Sequence, residues 1–318
     1  MAIEVLTRLE LVRRAGSEKR ARTQVARGEW WRVCRDAYVS GHEPDGAPVR
    51  LAALRRLLPP GAALTHRTAL WVLGLDVLGA ALDVTVPRGR HLLPRSHLRT
   101  RSARLDDDEL VDVGGLLAVS AARAVVDVAR SEAVLEAVAV ADAVLRAGHA
   151  TYEGVLESLD RSGGLRGVRT AREALALVDG RSESPQESRL RVQLVLGGVP
   201  RPVVQHDVYG PYGHVGRADL WLEGLVIEFD GRAVHQEART FAHDRRRHTQ
   251  LVELGLEVRR YTGLDVVRRS RADLWAEVWQ AVDQAATRSR PDVRTGPDTL
   301  RPPSARPLPV LAARRRAA

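Results

Sequence analysis

The segment Arg217–Thr262, RADLWLEGLVIEFDGRAVHQEARTFAHDRRRHTQLVELGLEVRRYT, constrains this chain more than any other. Two short apolar runs of the kind that form buried strands both carry acids. The first holds Asp219, and the second holds Glu228 and Asp230. An ionised carboxylate in an apolar strand is expensive unless a cation or a hydrogen-bond network compensates its desolvation. His235 follows, then a helix bearing Asp244, Arg245, Arg246, Arg247 and His248, then the strand LEVRRYT.

The flanks extend this pattern into a domain. Pro185–Gly197 reads as a helix with Glu187 in its first turn, and Pro202–Gly210 as a strand that turns at GPYG into the Asp219 strand. The helix Ala238–Leu254 then crosses over to a strand at Glu257–Tyr261, which gives an α/β core with a mixed sheet. If the chain makes a tight hairpin after Glu223, Asp219 and Glu228 lie on adjacent strands and can converge on one Mg²⁺. That ion takes oxygen ligands, commonly a couple of carboxylates with water and phosphate oxygens. Glu187 can approach from its helix to hold a water. Asp230 shares a face with Glu228 by the two-residue alternation of a strand. His235 is a candidate general base or acid, since a histidine side chain ordinarily titrates near neutrality. Arg247 can pair with a carboxylate or a phosphate, and Asp244 lies three residues before it on the same helix. For Asp244 and Arg247 a solvated, charge-paired helix face is the competing interpretation.

At the front of the chain, Ile3–Arg14 spaces its apolar residues along one helical face and ends at Gly16. Ser17 is placed to cap a second helix, Glu18–Arg27, which carries Lys19, Arg20, Arg22 and Arg27. The run Trp30–Val39 follows as one or two strands. Helix, turn, basic helix and ribbon is the order of a winged helix-turn-helix, whose second helix enters the major groove of DNA. A structural helical pair with a solvated basic face is the plainer alternative.

Between these ends, PVRLAALRRLLP and THRTALWVLGL read as helices, the second capped by Thr65. LDVTVP and SHLRTRS read as strands, and LVDVGGLLAVS as a hairpin turning at Gly114–Gly115. Ser120–Ala147 is helical, with Asp127 and Asp142 expected as buried or capping partners of arginine. The domain boundaries follow: 1–45 for the helix-turn-helix, 46–150 for a mixed α/β middle region, 151–183 for a helical connector, 184–288 for the acidic-strand domain and 289–318 for a disordered basic tail.

Composition narrows the setting. The 318 residues carry a formal charge of +9 and a pI near 10.7, which favours a polyanionic partner such as DNA. Arginine supplies nearly all of this charge, since Lys19 is the only lysine, so compositional bias competes with that interpretation. One cysteine, Cys34, excludes an intramolecular disulfide and a cysteine-rich zinc site. Met1–Ala15 holds Glu4, Glu10 and several arginines, so neither a signal peptide nor a membrane span is expected, and the cytoplasm is the expected location.

From about Ser184 to Val267 the motifs SPQESRLR, RADLW, VIEFDGRAVH, FAHDRRRHTQL and GLEVRRYT resemble the very-short-patch-repair-like branch of the P-D-(D/E)-x-K nuclease superfamily, in a domain form of unknown function. The front, through RTQVARGEWWRVCRDAYV, ALTHRTALWVLGL and LAVSAARAVVDVAR, resembles the N-terminal region of type IV toxin–antitoxin antitoxins. The resemblance implies a multi-domain α+β protein: a winged helix-turn-helix, a mixed α/β middle region and a restriction-endonuclease-like α/β core. It implies Asp219 and Glu228 as Mg²⁺ ligands, Glu187 as the helical glutamate and His235 as the histidine that assists hydrolysis. The third position of the E-x-K element is Asp230 in place of lysine, a departure from the superfamily pattern. Two expectations result. One is a Mg²⁺-dependent DNA endonuclease. The other is a non-enzymatic regulator of antitoxin type, with DNA and a cognate toxin as partners and a degenerate nuclease fold.

Overall fold

The computed structural model describes residues 3–41, 46–58, 61–79, 81–86, 98–103, 105–230, 238–268, 271–288 and 294–295. Among them the chain is mixed α+β, with twelve α-helices and three sheets. It divides into two compact units, each discontinuous in sequence. Met1–Ser131 joins Gly148–Val168, and Glu132–Ala147 joins Arg169–Ala318.

The first unit opens with strand β1 (Val5–Leu6), helices α1 (Arg8–Ala15) and α2 (Glu18–Ala26), and strands β2 (Trp31–Cys34) and β3 (Ala37–Val39). The expected helix from Ile3 starts only at Arg8. Thr7 and Glu10 form a reciprocal capping box there, and Leu6 is buried in a strand instead. Gly16 ends α1 in a left-handed conformation, and Ser17 Oγ accepts from Arg20 N to start α2, as its sequence predicts. Leu6, Leu11, Ala21, Trp30 and Tyr38 make a small core beneath the order β1-β3-β2.

Helix α3 (Ala47–Leu57), strand β4 (Ala63–Leu64), helix α4 (His66–Val72) and strands β5 (Leu82–Val86), β6 (Leu98–Ser102), β7 (Leu110–Val113) and β8 (Leu116–Val119) follow, then helix α5 (Ala121–Ser131). The sheet order is β6-β5-β4-β8-β7, and β7–β8 turn at Gly114–Gly115 as expected. Thr65 precedes α4 without capping it. Its hydroxyl donates to Asp127 Oδ2 at 3.0 Å instead. Helix α6 (Val134–Arg146) belongs to the second unit, whereas α7 (Tyr152–Arg161) returns to the first.

The second unit continues with α8 (Val168–Leu175), α9 (Pro185–Leu196), β9 (Val203–Gly210), β10 (Gly213–Leu222), β11 (Leu225–Asp230), α10 (Ala238–Glu253), β12 (Glu257–Thr262), α11 (Gly263–Arg268), α12 (Arg271–Thr287) and β13 (Arg294–Thr295). Its sheet order is β12-β11-β10-β9-β13. Only β11–β12 is parallel, the pairing that the crossover through α10 requires, so the sheet is mixed as expected. One face packs Leu190 and Leu194 of α9 and Leu274 and Val278 of α12 against Leu220, Leu225 and Ile227. The other packs Leu251 of α10 against Val208, Ala218, Trp221 and Val226. Each such leucine, isoleucine or valine contributes roughly 1.5–3 kcal/mol by burial. Helix α12 is an element that periodicity at the sequence level did not single out.

Helices α6 and α9 are clamped together by charge. Arg191 and Asp142 are both fully buried, with Arg191 Nη2 at 2.7 Å from Asp142 Oδ2. Asp142 Oδ1 accepts from Asp179 N at 2.7 Å, and Arg189 holds Glu136 through two bonds at 2.6 and 2.8 Å. This clamp fixes the helix whose first turn carries Glu187. The expectation of Asp142 as a buried arginine partner is met, and Asp127 likewise pairs with Arg123 and Arg130.

Candidate functional site

The acids of the second unit gather where its sheet is irregular. Val204 and Leu220 lie in the core on the α9 side, whereas Val208 and Ala218 lie in the core on the α10 side. Regular two-residue alternation would place Val204 and Val208 on one face, and likewise Ala218 and Leu220. The pairing of β9 with β10 passes from Ala218↔His206 to Leu220↔Val204, and Asp219 and Gln205 occupy the gap between them. The register is kept across this gap, but Gln205 has φ 52°, a left-handed backbone unusual for a non-glycine residue, where the two strands exchange faces. Such strain concentrates at functional positions because the surrounding structure must hold it.

Asp219 and Glu228 are joined by the hairpin that the sequence predicts. Residues Leu222 and Leu225 pair across a two-residue turn at Glu223–Gly224, both with positive φ. Asp219 Oδ2 accepts from Phe229 N at 2.8 Å, next to Glu228. Glu187, in the first turn of α9 behind its Ser184 cap, reaches the same place. Gln205 Nε2 donates to Glu187 Oε2 at 3.0 Å and stands 3.5 Å from Asp219 Oδ1. Burial pushes the Asp219 carboxyl up to about 6. The Phe229 N–H opposes this, and the negative charges of Glu187 and Glu228 reinforce it.

Glu228 is buried and held by two arginines. Arg260, its register partner on β12, places Nε 2.9 Å from Oε2, and Arg247 of α10 places Nη2 2.8 Å from Oε1. The Arg247 contact lacks hydrogen-bond alignment, which leaves Oε1 a buried oxygen with no hydrogen-bond partner. Arg247 reaches across Gly216, where a Cβ would stand 2.2 Å from its Nε, and donates to the Arg217 carbonyl on the way. Gly216, Gln205 and Arg260 are parts of this site that the sequence did not mark. Arg260 had a trace in the VRRYT motif, and Gln205 had only its polarity within an apolar strand.

Of the expected residues, Glu187, Asp219, Glu228 and Arg247 are brought together. Asp230 ends β11, two residues beyond Glu228 and half-buried. His235 lies outside the described residues, as does the side chain of Asp244, so Arg247 is seen with Glu228 and not with the expected Asp244. Among the described residues no group of three His, Cys, Asp or Glu side chains is arranged to hold a metal ion. Two observations still fit a hard cation. Glu228 Oε1 is buried without a hydrogen bond, and the charges of Glu187 and Glu228 add to the cost of ionising Asp219.

In the first unit, Lys19, Arg20, Arg22 and Arg27 are all exposed along and just after α2. Arg22 is partly spent on Glu18, at 3.1 Å. Among the described residues no helix is long and apolar enough to cross a membrane.

Two curated relatives match the chain over most of their length. Uncharacterized protein Rv2248 and uncharacterized protein MT2308, from two strains of Mycobacterium tuberculosis, are each 30% identical to the chain over 267 residues, covering 82% of it and 96% of the relative. The chain belongs to their family. No family model matches the chain.

Proposed function

We propose that the chain is a divalent-cation-dependent DNA endonuclease, brought to its substrate by an N-terminal winged helix-turn-helix and cutting within a restriction-endonuclease-like core. The observation that carries this reading is Asp219. It sits half-buried at a strained break in the sheet, beside Glu187 and Glu228, with a carboxyl pushed up to about 6. A fold does not keep three acids this close without a compensating partner.

Asp219 and Glu228 are the residues to hold Mg²⁺. When bound, the ion supplies positive charge that neutralises a phosphodiester and acidifies a water. The chain's own groups do the rest. Glu187 orients that water from the α9 side through its tie to Gln205. Arg247 and Arg260 fix Glu228 and offer donors to a phosphate. His235 moves a proton near neutral pH. Lys19, Arg20, Arg22 and Arg27 contribute phosphate contacts that raise affinity without base specificity.

The deciding experiment is conversion of supercoiled plasmid to nicked circles by purified full chain, with Mg²⁺ or Mn²⁺ and with EDTA. Wild type nicks only with metal, and Asp219→Asn does not. Plasmid that stays supercoiled across both metal titrations overturns the reading.

One observation favours a second reading. Two guanidiniums already neutralise Glu228, which is how an inactive descendant of such a site would stabilise a leftover carboxylate. In that case the chain is a DNA-binding regulator of antitoxin type, with a toxin protein as partner. Operator binding would then survive Asp219→Asn in a protein that never nicks.

A further inference from the structure

A second concentration of charge lies wholly within the first unit. A cleft of about 620 Å³ opens among β5, β6, α5 and α7, a size suited to a small ligand. Five arginines line it: Arg101, Arg123, Arg130, Arg161 and Arg166. Three carboxylates, Asp106, Glu109 and Asp127, face them, so cations predominate.

The inner members form a fixed floor. Arg123 is buried and donates from Nη1 to Glu109 Oε2 at 2.6 Å and from Nε to Asp127 Oδ1 at 3.1 Å. Asp127 also takes Arg130 Nη1 at 3.1 Å and the Thr65 hydroxyl at 3.0 Å. Thr65 Oγ1 lies 3.0 Å from His66 Nδ1, and His66 lines the cleft with φ 52°, another left-handed non-glycine backbone. Arg123 is therefore a strut, not a ligand group.

The outer members are differently placed. Arg161 comes no nearer to Glu109 Oε1 than 3.8 Å, beyond hydrogen-bond reach. Arg166 is exposed, and its carbonyl, not its guanidinium, serves Arg130 Nε. Burial pushes the Arg130 guanidinium below its ordinary range; Asp127 opposes this, and the charges of Arg123 and Arg101 add to it. Arg101 is already paired with the buried Asp83 at 2.7 Å and Arg130 with Asp127 at 3.1 Å, so among the described residues Arg161 and Arg166 are the cleft guanidiniums with no carboxylate within hydrogen-bond reach. One acceptor is also unmatched: Glu109 Oε1 is buried without a hydrogen-bond partner. A ligand that satisfies this wall carries a compact anion at one end and a hydrogen-bond donor at the other.

We propose that this cleft binds a nucleotide phosphomonoester, with Arg161 and Arg166 taking the phosphate, Arg101 and Arg130 adding positive charge from their places on Asp83 and Asp127, and Glu109 Oε1 accepting a hydrogen bond from a sugar hydroxyl or base amino group. The same chemistry is presented by a free mononucleotide and by the 5′-phosphorylated end of a strand. Arginine suits either because its fork matches phosphate oxygens.

The test is titration calorimetry on the full chain with AMP, GMP, CMP and UMP in turn, with inorganic phosphate, and with a 5′-phosphorylated DNA octamer and its 5′-hydroxyl twin. We expect at least one mononucleotide to bind, with inorganic phosphate about tenfold or more weaker because it lacks the donor for Glu109. Arg161→Ala with Arg166→Ala removes exposed side chains, keeps the circular dichroism spectrum, and weakens binding about tenfold or more. If only the phosphorylated octamer gains over its twin, and the gain vanishes in the double variant, the strand end is the source. Absence of binding by every mononucleotide together with equal affinity for the two octamers overturns the proposal. So does binding that the double variant leaves unchanged. Asp219→Asn does not alter this binding, and the double variant does not alter plasmid nicking, so failure here is distinguishable from failure of the nuclease reading.

Discussion

Arg247 Nη2 lies 2.8 Å from Glu228 Oε1, and its side chain gets there over a residue with no side chain, Gly216. A methyl group at 216 would occupy the space of the Arg247 Nε, so the guanidinium must move. Gly216→Ala should therefore reproduce Arg247→Ala, with each lowering plasmid nicking by about 10–100-fold if Arg247 holds Glu228 in place. The double variant should be no worse than either single one. Additive losses in the same assay would show that Gly216 acts by some other route.

Asp219→Asn should stop nicking and stabilise the fold. The folded carboxyl titrates near 6 against an ordinary 3.8, so the folded state prefers the protonated form. Stability from this group is fully present below about 4 and lost as pH rises through about 6. At pH 7 the ionised group costs roughly 2 kcal/mol after discounting for its partial exposure, and asparagine removes that cost while still accepting from Phe229 N. Calorimetric melting should rise by roughly 4–8 °C in the variant at pH 7 and show no gain at pH 4. A lower melting point at pH 7 would contradict this account of Asp219.

The same titration sets a pH limb for activity. Nicking should fall as pH drops through about 6, because a protonated Asp219 cannot ligate a cation. Raising Mg²⁺ should shift that limb to lower pH, since metal and proton compete for one carboxylate. A limb that ignores Mg²⁺ concentration would assign it to another group, with His235 the first to test by His235→Ala.

Asp142→Ala should be strongly destabilising, by about 3–5 kcal/mol, because it strands Arg191 as an unpaired charge at full burial. Replacing both members, Asp142→Leu with Arg191→Met, should recover much of that loss. Urea titration followed by circular dichroism reads both. Recovery that fails entirely would mean that the Asp179 and Leu177 backbone bonds to this pair matter more than its charge.

Neutralising Lys19, Arg20 and Arg27 together should weaken DNA binding and reduce its salt dependence by up to about 0.9 in slope for each phosphate no longer neutralised. Arg22 should contribute less, since Glu18 already engages it. Fluorescence anisotropy across a salt series gives the slope directly. An unchanged slope would remove α2 from the interface.

Much of this molecule could be read from the order of its residues, because the signals there are local. Ser17 and Ser184 mark helix starts by their hydroxyls, Gly114–Gly115 mark a turn, and acids within apolar runs single out Asp219 and Glu228. The parts that escaped depend on groups distant in sequence. The Gln205 strain exists only opposite Asp219, and the need for Gly216 arises only when α10 lays Arg247 across it. Thr65 looked like a cap and instead serves Asp127, 62 residues away. Helix α6 joins the second unit by packing against α9, where Arg191 and Asp142 meet across 49 residues that no periodicity connects.

The chain passes from one unit to the other three times, at about 131, 147 and 168. No single cut yields two intact folding units: ending the front half at 131 omits α7, and extending it to 168 carries α6 away from α9. Recombination at one point in the gene would break a unit whichever position it chose. Lineages that trade one half of this protein for another must exchange two segments together or inherit the whole.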